Sequence, residues 1–131
     1  MRKTGLLLVE DEHEIRTLLA EVFRMEHYEV FQAADGVEAL RLFEIDMDRI
    51  DLMLTDLGLP LLGGIELIER VKSMKPSLKI IGSSGYGRQN IREEVLMAGG
   101  DEFVPKPYVT SELIRAVKRM APPSENTKRT S

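Results

Sequence analysis

The chain has no cysteine and no tryptophan, and only 5% of its residues are aromatic. Without cysteine there is neither a disulfide frame nor a thiolate metal site, which suits a cytoplasmic protein. No apolar run approaches the ~20 residues of a membrane span. Residues 1–4 lead into a short apolar stretch, well under the about 7–15 residues of a signal-peptide core. The net charge is −4 and no basic stripe interrupts the sequence before the tail, so a nucleic-acid surface is not expected. There is no GxxxxGK[ST] loop for nucleotide phosphates. His13 and His27 share no metal-site spacing with the acids, and both read as surface helix residues.

What is present is ordinary globular material: 131 residues, 43% hydrophobic and 31% charged, enough for one domain with one real core. Strand and helix signals alternate. Short apolar runs at 6–9, 28–33, 50–55, 78–82 and 103–105 read as strands. Between them, Ile15, Leu18, Leu19, Val22 and Phe23 recur at helical spacing, which predicts a helix over 12–26. Val37, Leu40 and Phe43 mark a second helix with Asp35 as its N-cap. Ile65, Leu67, Ile68 and Val71 mark a third, stopped at Lys75-Pro76. Ile91, Val95 and Met97 lie in a fourth, ended by Gly99-Gly100, and 112–120 form the core of a fifth. Successive βα units of this kind imply a parallel sheet with helices on both faces. The domain is expected over 1–121. Residues 122–131 are polar and Pro-rich, with no apolar face, and are expected to form a disordered tail.

The chemistry gathers where strands end. The run Ile50-Asp51-Leu52-Met53-Leu54-Thr55 closes in Asp56, and ligands of open α/β sheets bind beyond the carboxyl ends of strands. An acid there also serves turns, so Asp56 alone decides little. The run 5–9 ends in Glu10-Asp11-Glu12. Helix-dipole preference accounts for Glu12 and one neighbour. It does not account for two strands that both end in acids. Like charges so close repel and raise each other's pKa, a cost that a bound cation removes. Oxygen ligands suit Mg²⁺ or Mn²⁺. The run 103–105 ends in Lys106-Pro107. A lysine there neutralises carboxylates or holds a phosphoryl oxygen. Pro107 fixes the turn, at a position where cis bonds serve rigid loops.

These parts resemble the receiver domain of the two-component response-regulator family. The resemblance covers about residues 4–120 and rests on five elements in order. They are Glu10-Asp11, Asp56, the loop Leu57-Gly58-Leu59-Pro60 leading to Gly63-Gly64, Ser83-Ser84-Gly85, and Lys106-Pro107. It implies a single flavodoxin-like (βα)5 domain, α/β class, with strand order 2-1-3-4-5, which brings the first and third strand ends together. It implies a signalling switch, not an enzyme, that takes a phosphoryl group on Asp56 from a histidine kinase or histidine phosphotransfer protein and acts on a downstream effector. Mg²⁺ (or Mn²⁺) would be held by Asp11, Asp56 and the Gly58 carbonyl, with Glu10 reaching it through water. Lys106 and Ser84 would contact phosphoryl oxygens. Ser84 is chosen over Ser83 because a small residue, Gly85, follows it; Ser83 would point to the other face as a satisfied buried hydroxyl. Phe103 stands where the family has a switch aromatic, and lacking a polar end it is biased inward. The implied output is the surface of the fourth helix, fifth strand and fifth helix.

Three departures are visible. Glu10 stands for a more usual Asp, Gly58 offers no side chain, and Tyr86 is bulky two residues after Ser84. In the family this chain resembles, the last two positions tend to influence how fast water reaches the aspartyl phosphate. Alternatives from other classes are weaker. A binding module leaves Asp56, Asp11 and Lys106 unexplained together. An FMN protein needs a phosphate loop where Glu10-Asp11-Glu12 would repel one. A dehalogenase-type phosphatase needs a second Asp where Gly58 stands.

Overall fold

The computed structural model describes residues 2–85 and 90–124. Tyr86 and residues 125–131 of the expected tail lie outside that description. The elements alternate as β1 Gly5–Val9, α1 His13–Met25, β2 Glu29–Ala33, α2 Gly36–Asp46, β3 Leu52–Asp56, α3 Gly64–Met74, β4 Lys79–Ser84, α4 Ile91–Ala98, β5 Glu102–Pro105 and α5 Thr110–Met120. A 3-10 turn, Met47–Arg49, joins α2 to β3. All strand pairs are parallel, in the order β2-β1-β3-β4-β5. This is the flavodoxin-like order expected from the resemblance.

The apolar runs work because both sheet faces are covered. Every residue of β1 is buried, as are the first four of β3. Alternate side chains go to opposite cores. Leu7, Val9, Met53 and Ile80 meet Ala39, Phe43, Leu67, Ile68, Val71 and Val95 from α2, α3 and α4. Leu6, Leu8, Leu52, Leu54 and Ile81 meet Leu19, Ala20, Phe23, Leu113, Ala116 and Val117 from α1 and α5.

Some side chains behave differently from the periodic pattern. Met97 is 88% exposed and Leu18 61% exposed, so neither faces a core; Ile91 and Val95 anchor α4 instead. His27 is not helical. It sits in the turn after α1 with a left-handed φ of 74°. The chain stays packed past Ala121: the Thr4 hydroxyl donates to the Pro122 carbonyl at 2.9 Å, and Pro123 and Ser124 are buried. Among the described residues, no helix is long and apolar enough to cross a membrane.

Candidate functional site

Register brings the chemistry together. Val9 pairs with Thr55, Asp56 with Ser83, and Ser84 with Pro105. The residues that follow continue the ladder: Leu57 N–H donates to the Ser83 carbonyl at 2.9 Å and Lys106 N–H to the Ser84 carbonyl at 3.0 Å. Glu10, Asp56, Ser84 and Lys106 therefore lie along one edge of the sheet, at the carboxyl ends of β1, β3, β4 and β5. The loop after Asp56 fits because of a glycine. A Cβ on Gly64 would lie 2.6 Å from the Asp56 carbonyl oxygen, so only glycine lets α3 start this close to the strand end.

One carboxylate oxygen each from Glu10, Asp11 and Asp56 lies within 4.8 Å of the others. Glu10 is buried, Asp56 half-buried and Asp11 exposed. A hard divalent cation fits this all-oxygen set and would lower the mutual repulsion. The exposed Gly58 leaves the mouth open, because a Cβ there would meet nothing within 4 Å. Its N–H makes only a long, 3.4 Å contact with Asp56 Oδ1.

Lys106 divides its attention unequally. Its Nζ donates to Glu10 Oε1 at 2.7 Å and stands 3.6 Å from Asp56 Oδ2. Glu10 Oε2 accepts the Glu12 N–H at 3.1 Å, so both Glu10 oxygens already have donors. Burial pushes the Glu10 carboxyl up, and the Lys106 hydrogen bond only partly offsets this. Burial alone would pull Lys106 down, but the Glu10 hydrogen bond and the charges of Tyr108, Asp56 and Glu10 carry it above its ordinary value. The Lys106–Pro107 peptide is cis.

Ser84 ends β4, and Phe103 is buried on the α4 side with the Arg92 guanidinium 5.5 Å from its ring centroid. Three partners were not read from the sequence. Arg16 donates to the Glu10 carbonyl at 2.7 Å, holding the turn after β1. The Thr55 hydroxyl donates to the Asp56 carbonyl at 2.9 Å. Lys106 Nζ lies 5.8 Å from the Tyr108 ring centroid. Arg16 and Thr55 lie on elements already recognised, but only tertiary geometry shows what they reach.

Residues 6–118 match the response regulator receiver domain family. The chain belongs to that family. It is a receiver domain of a two-component system, and such domains are phospho-acceptor switches, not classical enzymes. The receiver domain is 35% identical over 126 residues to the sporulation initiation phosphotransferase F of Bacillus subtilis, covering 96% of this chain and all of that protein. It is 35% identical over 113 residues to the transcriptional regulatory protein CpxR of Escherichia coli, covering 86% of this chain but only 47% of CpxR. A crystal structure of a response regulator receiver domain protein from Clostridium thermocellum superposes with a TM-score of 0.84 at 25% identity, covering 89% of this chain and 93% of that one.

Proposed function

We propose that this receiver domain accepts a phosphoryl group on Asp56 from the phosphohistidine of a histidine kinase or histidine phosphotransfer protein. The observation that carries the reading is the cluster itself: Asp56 beside Asp11 and Glu10, with Lys106 within 3.6 Å. An Asp56 carboxylate oxygen attacks phosphorus, the phosphorus–nitrogen bond breaks, and the imidazole leaves with the electron pair and takes up a proton. Carboxylates form acyl phosphates of this kind. Transfer asks the protein mainly for position and charge neutralisation.

Mg²⁺ would be held by Asp11, Asp56 and the Gly58 carbonyl, with Glu10 reaching it through water. When bound, Mg²⁺ neutralises the charge that builds on the transferring oxygens. Lys106 gives a second phosphoryl oxygen a point charge, and the Ser84 hydroxyl serves a third. Movement of Ser84 and Phe103 carries the change to the surface of α4, β5 and α5, where an effector reads it. The domain also assists its own dephosphorylation by water. The named activity of the Bacillus subtilis relative, a phosphotransferase, supports this reading.

Intact-protein mass spectrometry after acetyl phosphate and Mg²⁺ tests it. One labile phosphoryl adduct is expected in the wild type and none in Asp56→Ala. An adduct that persists in that variant moves the acceptor elsewhere.

A further inference from the structure

Ser83 is the partner of Asp56 in the sheet register, yet it faces away from α4. A Cβ on Gly82 would meet Val95 Cγ2 at 3.0 Å, so Gly82 points toward α4. Ser83, one residue on, points to the opposite face, where Ile81 packs with α1 and α5. There it is fully buried, and its Oγ has no hydrogen-bond partner among the described residues. A buried hydroxyl left open in this way is costly.

Tyr108 lies on the same face, packed against that core. Its hydroxyl approaches Ser83: burial pushes the phenol pKa up and Ser83 draws it part of the way back. The approach stops short of full hydrogen-bond geometry, which is why Ser83 Oγ stays open. The other neighbour of the ring is the Lys106 ammonium, 5.8 Å from its centroid. Tyr108 also lines a cleft of about 210 Å³ between α1 and the start of α5, with Ile15, Leu18, Leu19, Pro107 and Thr110. One side chain thus touches the lysine of the site, an unfilled hydroxyl berth and a surface cleft.

We propose that phosphorylation of Asp56 closes a Tyr108–Ser83 hydrogen bond that stands open in the unphosphorylated chain, and so reports the state of Asp56 to the cleft between α1 and α5. The proposal rests on the reading of Asp56 as phospho-acceptor. Lys106 now binds Glu10; a phosphoryl group draws it off that carboxylate and away from the Tyr108 face. The ring then loses an attraction that holds it outward. It settles inward, and its O–H donates to Ser83 Oγ. The differential contacts required of any two-state element are the ammonium in one state and the serine in the other. Ser84 and Phe103 lie toward α4, so this route runs on the other side of the sheet and does not need them.

The test uses the full chain labelled with 3-fluorotyrosine. The three tyrosines (Tyr28, Tyr86 and Tyr108) are assigned by single Tyr→Phe variants, and the fluorine spectrum is followed with beryllofluoride and Mg²⁺. In the wild type the Tyr108 resonance moves. In Ser83→Ala it moves by roughly half as much or less, because the inward state has lost its acceptor. Apparent beryllofluoride affinity falls roughly three- to tenfold in Ser83→Ala and in Tyr108→Phe, the loss of one hydrogen bond made only in the bound state. The double variant falls no further than either single one. A wild-type Tyr108 shift in Ser83→Ala, together with wild-type beryllofluoride affinity in both single variants, overturns the proposal and leaves the Asp56 reading standing. A wild type that responds no more than Asp56→Ala overturns both.

Discussion

At the scale of single residues, the site is a contest among charges. Glu10, Asp11 and Asp56 share one small volume, and Lys106 has settled on Glu10 at 2.7 Å. A divalent cation that binds the folded chain stabilises it by mass action. Millimolar Mg²⁺ is therefore expected to raise the melting temperature. Asp11→Ala should remove most of that shift. Glu12→Ala should keep it, because Glu12 meets the cluster through its backbone N–H, and its carboxylate is not among the three that group together among the described residues. A calorimetric scan that shows the same Mg²⁺ shift in Asp11→Ala would remove Asp11 from the metal set. The acids and Lys106 were legible in the sequence because strands ended in them. Their partners were not. The Glu10–Lys106 bond joins residues far apart in the chain, and nothing in the local pattern says that Lys106 prefers Glu10 to Asp56. The same holds for Ser83: alternation put it on the far face, but its missing partner shows only in three dimensions.

At the scale of elements, local signals carry more weight. Asp35 Oδ1 accepts the Glu38 N–H at 2.7 Å, and Glu38 Oε1 in turn accepts the Ala34 N–H at 2.7 Å, so the start of α2 is closed from both sides. Asp35→Ala is expected to cost about 1 kcal/mol in urea unfolding, as lost N-caps do. Gly64→Ala should cost more, since its methyl would lie 2.6 Å from the Asp56 carbonyl, and it should also slow acceptance of phosphate by pushing α3 off the strand end. A Gly64→Ala chain with wild-type stability and phosphorylation rate would show that this loop has slack. The strands were legible because doubly buried parallel strands read as continuous apolar runs. Edges were less so. The 3-10 turn Met47–Arg49 runs straight on from α2 and is too short to show a period of its own, and β4 extends to Ser84 because Gly82 and Ser83 keep pairing with β3. Met97 fitted the period of α4 but packs against nothing in the core, since hydropathy cannot tell a buried methionine from an exposed one.

At the scale of the whole molecule, the end of the sheet opposite the site is closed by different means. Asp51 accepts both Arg2 guanidinium nitrogens, at 2.7 and 2.9 Å, and the Gly5 N–H at 2.8 Å. Burial is the largest single influence on Asp51 and opposes its ionisation, but the hydrogen bonds from Arg2 and Gly5 and the charges of Arg2 and Lys75 together outweigh it and hold the carboxyl below its ordinary 3.8. A folded pKa below the unfolded one adds stability that is present above the unfolded value and lost as pH falls through the folded one. Asp51→Ala is accordingly expected to lose about 1 kcal/mol at neutral pH, the modest figure of a partly exposed pair. The deficit should narrow as pH drops below 3.8. A deficit that stays constant on acidification would assign the loss to packing. At the same end the Tyr28 hydroxyl donates to the Ala121 carbonyl at 2.6 Å, beside the Thr4–Pro122 contact. The chain thus enters and leaves its fold within a hydrogen bond's length, on the side away from Asp56. A short peptide bridge between those two points, with new ends opened in an exposed helix-to-strand turn such as the one at His27, would give a circularly permuted chain whose carboxylates keep their geometry. The order in which the strands are written along the chain would change, and the chemistry would not.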